Sequence, residues 1–300
     1  MTSHRGSRDN QQPAHVDTGS TSLTLKMREF EFGDEDFQAL RKLVKDVTGI
    51  SLSEQKRELV YGRLARRLRA LDLRSFREYR DLLAHDGGTE LVQFCNAITT
   101  NLTAFFREPH HFEHLKRDVL APLVHKPGAV RRVRIWSAGC STGEEPYSIA
   151  MSVLEAVPDI ERWDIRILAT DLDSDVLDKA RRGVYAADRL RLLSIERRER
   201  FFEPYVEAKE PSYRVKPELA RLITIKQLNL MHPFPHKGPL DAIFCRNVVI
   251  YFDKETQRDL IARTARLQRP GDLLFLGHSE TLFKVSTDYA LIGRTIYRRS

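Results

Sequence analysis

The chain has 300 residues, 41% of them hydrophobic and 30% charged, a globular balance sufficient for one large domain or two of modest size. No apolar run approaches the roughly 20 residues that span a bilayer, and three widely spaced cysteines (Cys95, Cys140, Cys245) argue against a disulfide framework and fit a reducing cytosol. The formal charge of +7 implies an anionic partner without saying whether it is nucleic acid, a membrane surface or an acidic protein.

Met1 to Ser22 is polar and lacks the apolar core of a secretory signal; a disordered tail is expected over residues 1 to about 27. Residues 28–88 predict a helical N-terminal domain. Asp34-Glu35-Asp36 opens a first helix with Phe37, Leu40, Leu43, Val44 and Val47 on one stripe, and Gly49 stops it. A second helix runs from Ser53 to about Leu71, with Val60, Tyr61, Leu64, Leu68 and Leu71 on one face and Lys56, Arg63, Arg66 and Arg67 on another. A third, from about Ser75 to His85, ends at Gly87-Gly88.

Residues 89–125 predict more helix, interrupted at Asn101-Leu102-Thr103, with Pro109 in a first turn. His110, His111 and His114 cluster there, and His110 and His114 share a helical face. No cysteine or second carboxylate cluster completes a site, so no metal is expected. After Pro127-Gly128 short apolar runs alternate with helical segments: Val133 to Ala138, Ile165 to Thr170, Leu222 to Ile225, Ala242 to Cys245 and Leu273 to Leu276. That rhythm predicts an α/β domain with a mostly parallel sheet, closed by a last antiparallel strand near Thr295 to Arg298. The charged, proline-bearing stretch of about 191–219 breaks it and predicts a small inserted β-hairpin subdomain.

The first strand runs into Ser137-Ala138-Gly139-Cys140-Ser141-Thr142-Gly143-Glu144-Glu145. Glycines at the carboxyl end of a first strand let a ligand approach the backbone. The run is neither GxGxxG nor a P-loop. The acidic pair after Gly143 suits a cationic ligand such as an ammonium or a sulfonium. Asp171, ending the second strand, suits vicinal ribose hydroxyls. A nucleoside without obvious phosphate is implied, and S-adenosylmethionine meets both conditions. Arg246 and Asn247, where the fourth strand ends, face the same crevice.

Thr100 to Glu108, the Trp136 to Tyr147 loop, Ala169 to Asp171, Leu228-Asn229-Leu230, Phe244 to Asp253 and Gly277-His278-Ser279-Glu280 resemble, in order, the chemotaxis receptor methyltransferases, the CheR family. The likeness covers about residue 28 to the C-terminus. It implies a class I (Rossmann-like) methyltransferase catalytic domain, over residues 89–300, with an inserted β-subdomain and an all-α N-terminal receptor-recognition domain. Carried over by motif, Asn101, Thr103, Arg107 and Gly139 would contact the cofactor, Glu144 its methionine portion and Asp171 the ribose. Asn229 and Leu230 would frame the adenine, and Arg246 and Asn247 would close the crevice. Arg107 and Tyr251 would lie nearest the transferred methyl. The implied reaction is methyl-ester formation on receptor glutamates by a cytoplasmic enzyme recruited to membrane-bound receptor arrays, with S-adenosylhomocysteine as product. Lys56, Arg63, Arg66 and Arg67 would lie along the receptor's acidic methylation region. Some members grip a receptor tail peptide through a hairpin that turns on glycines. Residues 203–213 contain no glycine, so such tethering is not expected. Nucleic-acid methyltransferases often carry a (D/N)PP[YF] tetrad after the fourth strand. Arg246-Asn247-Val248-Val249 departs from it, and neither nucleic-acid binding nor membrane insertion is expected.

Overall fold

A computed structural model of the chain describes residues 28–85, 88–125, 128 and 130–300; the expected tail at 1–27, and Gly87 and Pro127, lie outside the described residues. Helix α1 (Asp34–Thr48) starts where Asp36 accepts the Gly33 N–H at 3.3 Å, and it ends at Gly49, whose left-handed φ of 75° lets its N–H cap Lys45. A 3-10 turn at Glu54–Lys56 leads into α2 (Arg57–Ala70), which buries Val60, Leu64 and Leu68. With α3 (Phe76–His85) and α4 (Thr89–Ile98) these helices enclose a core of Phe37, Leu40, Val44, Phe76, Tyr79 and Phe94. This corrects the boundary read from sequence at 88/89. Phe94, Cys95 and Ile98 of α4 belong to the helical core, so α4 is part of the helical domain.

After α5 (His110–His114), a π-helical stretch at Leu115–Leu120 and α6 (Ala121–His125), the chain alternates. It runs through β1 (Arg132–Ala138), α7 (Glu144–Ala156), β2 (Asp164–Asp171) and α8 (Ser174–Arg182). A second stretch holds β3 (Val184–Ala186), α9 (Ile195–Phe201), β4 (Phe202–Glu207), β5 (Glu210–Val215) and α10 (Pro217–Ala220). Then come β6 (Ile223–Gln227), β7 (Ala242–Cys245), α11 (Lys254–Ala265), β8 (Leu273–Leu276), β9 (Tyr289–Gly293) and β10 (Ile296–Arg299). Among the described residues the main sheet has the order β6-β2-β1-β7-β8-β10-β9. The first five strands pair in parallel, and β10 pairs antiparallel with both β8 and β9. Strands β7 and β8 are buried along their whole length, which is why they read as unbroken apolar runs.

The inserted unit starts earlier than the sequence reading of 191–219. The three-residue β3 pairs with β5, whose other edge takes β4, giving a three-stranded sheet. Its hairpin turns without glycine, at Ala208 and Lys209, both at positive φ (49° and 71°). The helical domain is tied to the sheet domain through both backbone and side chains, with Asn96 donating to the Ser174 hydroxyl at 2.9 Å and the Thr99 hydroxyl to Asp173 at 2.7 Å. Ile50 bridges Phe252, the Ser51 N–H donates to the Tyr251 carbonyl at 2.7 Å, and Asn229 Nδ2 donates to the Val47 carbonyl at 2.6 Å. Lys45 pairs with Asp253 at 2.8 Å.

Candidate active site

The chain passes from β1 outward to β2 and β6, then returns to β7 on the other side of β1, so the strand order reverses between β1 and β7. The ends of strands diverge at such a point and leave a crevice. Here it is a cavity bounded by Gly139 after β1, Asp171 at the end of β2, Asn229 and Leu230 after β6, and Arg246, Asn247 and Tyr251 after β7. Asn101, Thr103 and Arg107 enter from the segment between α4 and α5, and Ile50, Lys56 and Leu59 from the helical domain. Nine of the ten residues expected at a cofactor thus share one cavity; Glu144 is the exception.

Glu144 and Glu145 open α7, and consecutive helical residues point about 100° apart. Glu144 turns away from the cavity, buried against Arg189, which also donates to the Thr103 carbonyl at 3.1 Å, and against the Thr142 hydroxyl at 2.6 Å. Glu145 is the carboxylate on the cavity wall. It accepts the Ser137 hydroxyl at 2.7 Å and an Arg246 N–H at 3.1 Å. Burial pushes its carboxyl up despite the arginine. The expectation for Glu144 is corrected accordingly.

Asp171 is buried, and its oxygens accept the Ser141 N–H at 2.8 Å and the Asp173 N–H at 3.1 Å. Burial pushes its carboxyl up to about 6, against the pull of those bonds. Asn101 Nδ2 donates to Asp173 at 2.7 Å, so its side chain locks the α4–α5 segment onto the β2 end. Asn229 is similarly shared, bonding the Val47 carbonyl and the Met231 N–H. Gly139 sits at φ 82°, and a Cβ there would overlap the Val248 side chain. This glycine thus serves the approach of the β7 loop as well as that of a ligand.

Arg246 is almost fully buried between Glu145 and Glu108 (3.5 Å) and donates to the Arg107 carbonyl. Around Glu108 the structure also revises the histidine reading. Ligand atoms of Glu108, His110 and His111 lie within 4.8 Å of one another, whereas His114 pairs with Asp118 at 2.7 Å. Glu108 already accepts from His278, both His110 and His111 meet the Arg294 carbonyl, and the Arg246 cation lies beside them. A neighbouring guanidinium opposes a metal cation in that space.

The four cations of the expected receptor face divide. Lys56 and Arg66 are exposed, Lys56 on the cavity rim. Arg63 instead donates to the carbonyls of Ile98 (2.5 Å) and Thr99 (2.7 Å) and to the Thr100 hydroxyl (3.0 Å), capping the end of α4. Arg67 makes a two-point pair with Glu90 at 3.0 and 2.6 Å, beside the Tyr79 hydroxyl. Their placement on a free receptor face is corrected: α4 folds back across α2 and takes both guanidiniums.

A parallel sheet closed by an antiparallel strand pair, with a crevice at its strand-order reversal, is the architecture of a class I methyltransferase. Residues 35–99 match the family described as CheR methyltransferase, all-alpha domain, and residues 101–298 match CheR methyltransferase, SAM binding domain. The division at 99/101 agrees with the placement of α4 in the helical core. The chain is 45% identical to chemotaxis protein methyltransferase 2 of Pseudomonas aeruginosa, covering 93% of this chain and 98% of that one. It is 42% identical to the chemotaxis protein methyltransferases of Salmonella typhimurium (94% and 96% covered) and Escherichia coli (94% and 97%). The chain belongs to the CheR methyltransferase family and is an S-adenosylmethionine-dependent methyltransferase.

Asp171 supports a test of the ribose assignment. An ionised carboxylate accepts hydroxyl hydrogen bonds better than a protonated one. Binding of S-adenosylhomocysteine is therefore expected to weaken as pH falls through about 6. Asp171→Asn should bind about 10-fold more weakly, ~1.4 kcal/mol, with that pH dependence flattened. Calorimetry between pH 5 and 8 decides it; an unchanged affinity in the variant removes Asp171 from the ribose.

Proposed function

We propose that the protein methylates glutamate side-chain carboxylates on the cytoplasmic methylation region of chemotaxis receptors. The products are glutamate methyl esters and S-adenosylhomocysteine, and the reaction serves sensory adaptation. The observation that carries the reading is the rim of the cofactor cavity, where Tyr251 and Arg107 meet exposed Lys56 and the exposed apolar side chains of Leu59 and Leu102. A cationic and apolar rim suits an amphipathic helix that presents carboxylates. The relatives' description as chemotaxis methyltransferases supports the receptor as the source of that helix. Among the described residues no helix is long and apolar enough to cross a membrane.

The chemistry requires no general base. A glutamate with a reference pKa near 4.3 is ionised at neutral pH and is already a nucleophile. S-adenosylmethionine, when bound, supplies a methyl group on a positively charged sulfur leaving group. Asp171 would accept the ribose hydroxyls, Asn229 and Leu230 would flank the adenine, and Glu145, the buried acid on the wall, would face the cationic portion. Arg107 donates to the Leu102 carbonyl at 2.9 Å and so holds the wall segment it belongs to. Tyr251 would donate to one carboxylate oxygen and leave the other aligned for in-line attack. The apolar rim would displace water from the carboxylate. No metal-dependent step enters this reading.

The test is transfer of radiolabelled methyl from S-adenosylmethionine to receptor-containing membranes, with release of label by mild base diagnosing an ester. Label that is base-stable, or absent from receptors, overturns the reading. The surface cations supply a second check. Lys56→Ala/Arg66→Ala is expected to lower kcat/KM for receptor by about 3- to 10-fold at low salt, with the gap closing as salt rises. Cofactor affinity should fall by less than kcat/KM for receptor, because Arg66 lies outside the cavity and Lys56 meets it only at the rim, away from the β-strand ends. Equal rates at low salt would assign the pair to solvent.

A further inference from the structure

The Gly277-His278-Ser279-Glu280 motif has no part in the cavity wall, yet its acid is among the most enclosed charges of the protein. Glu280 is 4% exposed, and no ion-pairing cation lies against it among the described residues. Four backbone N–H groups converge on its carboxylate. Oε2 accepts from Gly277 at 2.6 Å and Asn247 at 2.9 Å; Oε1 accepts from Val248 at 2.9 Å and Ile250 at 3.1 Å. Three of these donors belong to the loop after β7, about 30 residues away in sequence, which carries Asn247 and Tyr251 into the cavity.

The carbonyls of that loop are held from outside, Val249 and Phe252 by the Gln257 amide at 2.8 and 3.0 Å and Tyr251 by the Ser51 N–H at 2.7 Å, whereas the N–H groups of Asn247, Val248 and Ile250 are held by Glu280. Asn247 lies at φ 58°, in the left-handed region that favours glycine and that asparagine tolerates better than most other side-chain-bearing residues. The 3-10 turn Val249–Tyr251 is three residues long and cannot hold itself together. An anion that collects the N–H groups at the start of the turn supplies what the turn lacks. Gly277 completes the arrangement, since a Cβ at that position would overlap the Asn247 side-chain amide and its backbone nitrogen.

We propose that Glu280 is a positioning residue for methyl transfer: its buried carboxylate gathers the N–H groups of Asn247, Val248 and Ile250 and thereby fixes Tyr251 and Asn247 in the cavity. It touches neither substrate nor cofactor. The effect on rate passes through the loop, and that part of the inference rests on the proposed glutamate chemistry.

The experiment compares wild type with Glu280→Gln and Glu280→Asp. The amide keeps the size but presents an NH2 group to two N–H donors; the aspartate keeps the charge but withdraws it by one methylene. Three readouts are taken: amide hydrogen exchange over residues 246–252, calorimetric affinity for S-adenosylhomocysteine, and single-turnover methylation at saturating cofactor. For Glu280→Gln, exchange should accelerate at least about 10-fold and methylation fall about 10-fold or more, with affinity changed by less than about 5-fold. Glu280→Asp should lie between the two, and it carries the test if the glutamine variant does not fold. In a Tyr251→Phe background the further loss in rate should shrink, because the two act in series. Wild-type protection over 246–252, or faster exchange without a loss of rate, overturns the proposal. A wild-type enzyme that methylates no receptor overturns the substrate reading instead, and exchange together with affinity then decides whether Glu280 holds the loop.

Discussion

Arg246→Ala is expected to lower the melting temperature by roughly 6–15 °C, the consequence of a loss of about 3–5 kcal/mol. The guanidinium lies between the buried carboxylate of Glu145 at 3.1 Å and the partly buried one of Glu108 at 3.5 Å, with Phe112 beneath it. Its removal leaves two acids enclosed without a cation, and a buried unpaired charge is far costlier than the pair was beneficial. Burial already pushes Glu145 up with the arginine present, whereas at Glu108 the arginine and His278 outweigh burial and hold the carboxyl low. Both acids would take up protons once the cation is gone. The variant's deficit should therefore be largest at neutral pH and shrink as pH falls and protonation removes the charge problem. A loss of packing alone would show no such trend. Arg246→Lys should recover only part of the stability, since a single nitrogen lacks the planar fork that reaches Glu145 from one side and Glu108 with the Arg107 carbonyl from the other. Thermal melts from pH 5 to 8 decide between the two accounts. A deficit that does not vary with pH would make Arg246 a packing residue.

The sheet was legible in the sequence because its central strands are buried on both faces. Ala242–Cys245 and Leu273–Leu276 have no polar residue to confuse the reading. Edge elements carried less signal. Tyr289–Gly293 was missed because it is half exposed and runs almost directly into the strand that follows; Val184–Ala186 was missed because three residues show no period. At the site, single motifs named the positions but not their directions. Nothing in Glu144-Glu145 says which of two adjacent acids faces the cavity; the phase of α7 decides it. Arg63 and Arg67 read as part of a receptor-binding face because their partners, the α4 carbonyl ends and Glu90, come from over 20 residues away. The role of Glu280 was likewise invisible, since its donors are backbone groups that sequence does not mark.

Tyr251→Phe is expected to slow methyl transfer about 10- to 100-fold, equivalent to ~1–3 kcal/mol for one orienting hydrogen bond lost in a water-poor site. The ring packs at the edge of the cluster built on Val249 and Phe252, and its backbone carbonyl accepts the Ser51 N–H that ties the two domains. Phenylalanine preserves both, so melting temperature and S-adenosylhomocysteine affinity should match wild type. Arg107→Ala provides the contrast. Its guanidinium holds the Leu102 carbonyl on the cavity wall, so that variant should lose cofactor affinity together with turnover. A carboxylate bound tightly by an arginine is a poorer nucleophile, because the charge that orients it also withdraws the electron pair that must attack. A phenol donates one hydrogen bond without neutralising the carboxylate, and this is why the orienting role is given to Tyr251. Single-turnover methylation with cofactor saturating separates the two residues, since binding no longer limits the rate. If Tyr251→Phe reacts as fast as wild type, the hydroxyl does not orient the glutamate, and Arg107 becomes the donor to test at the reacting carboxylate.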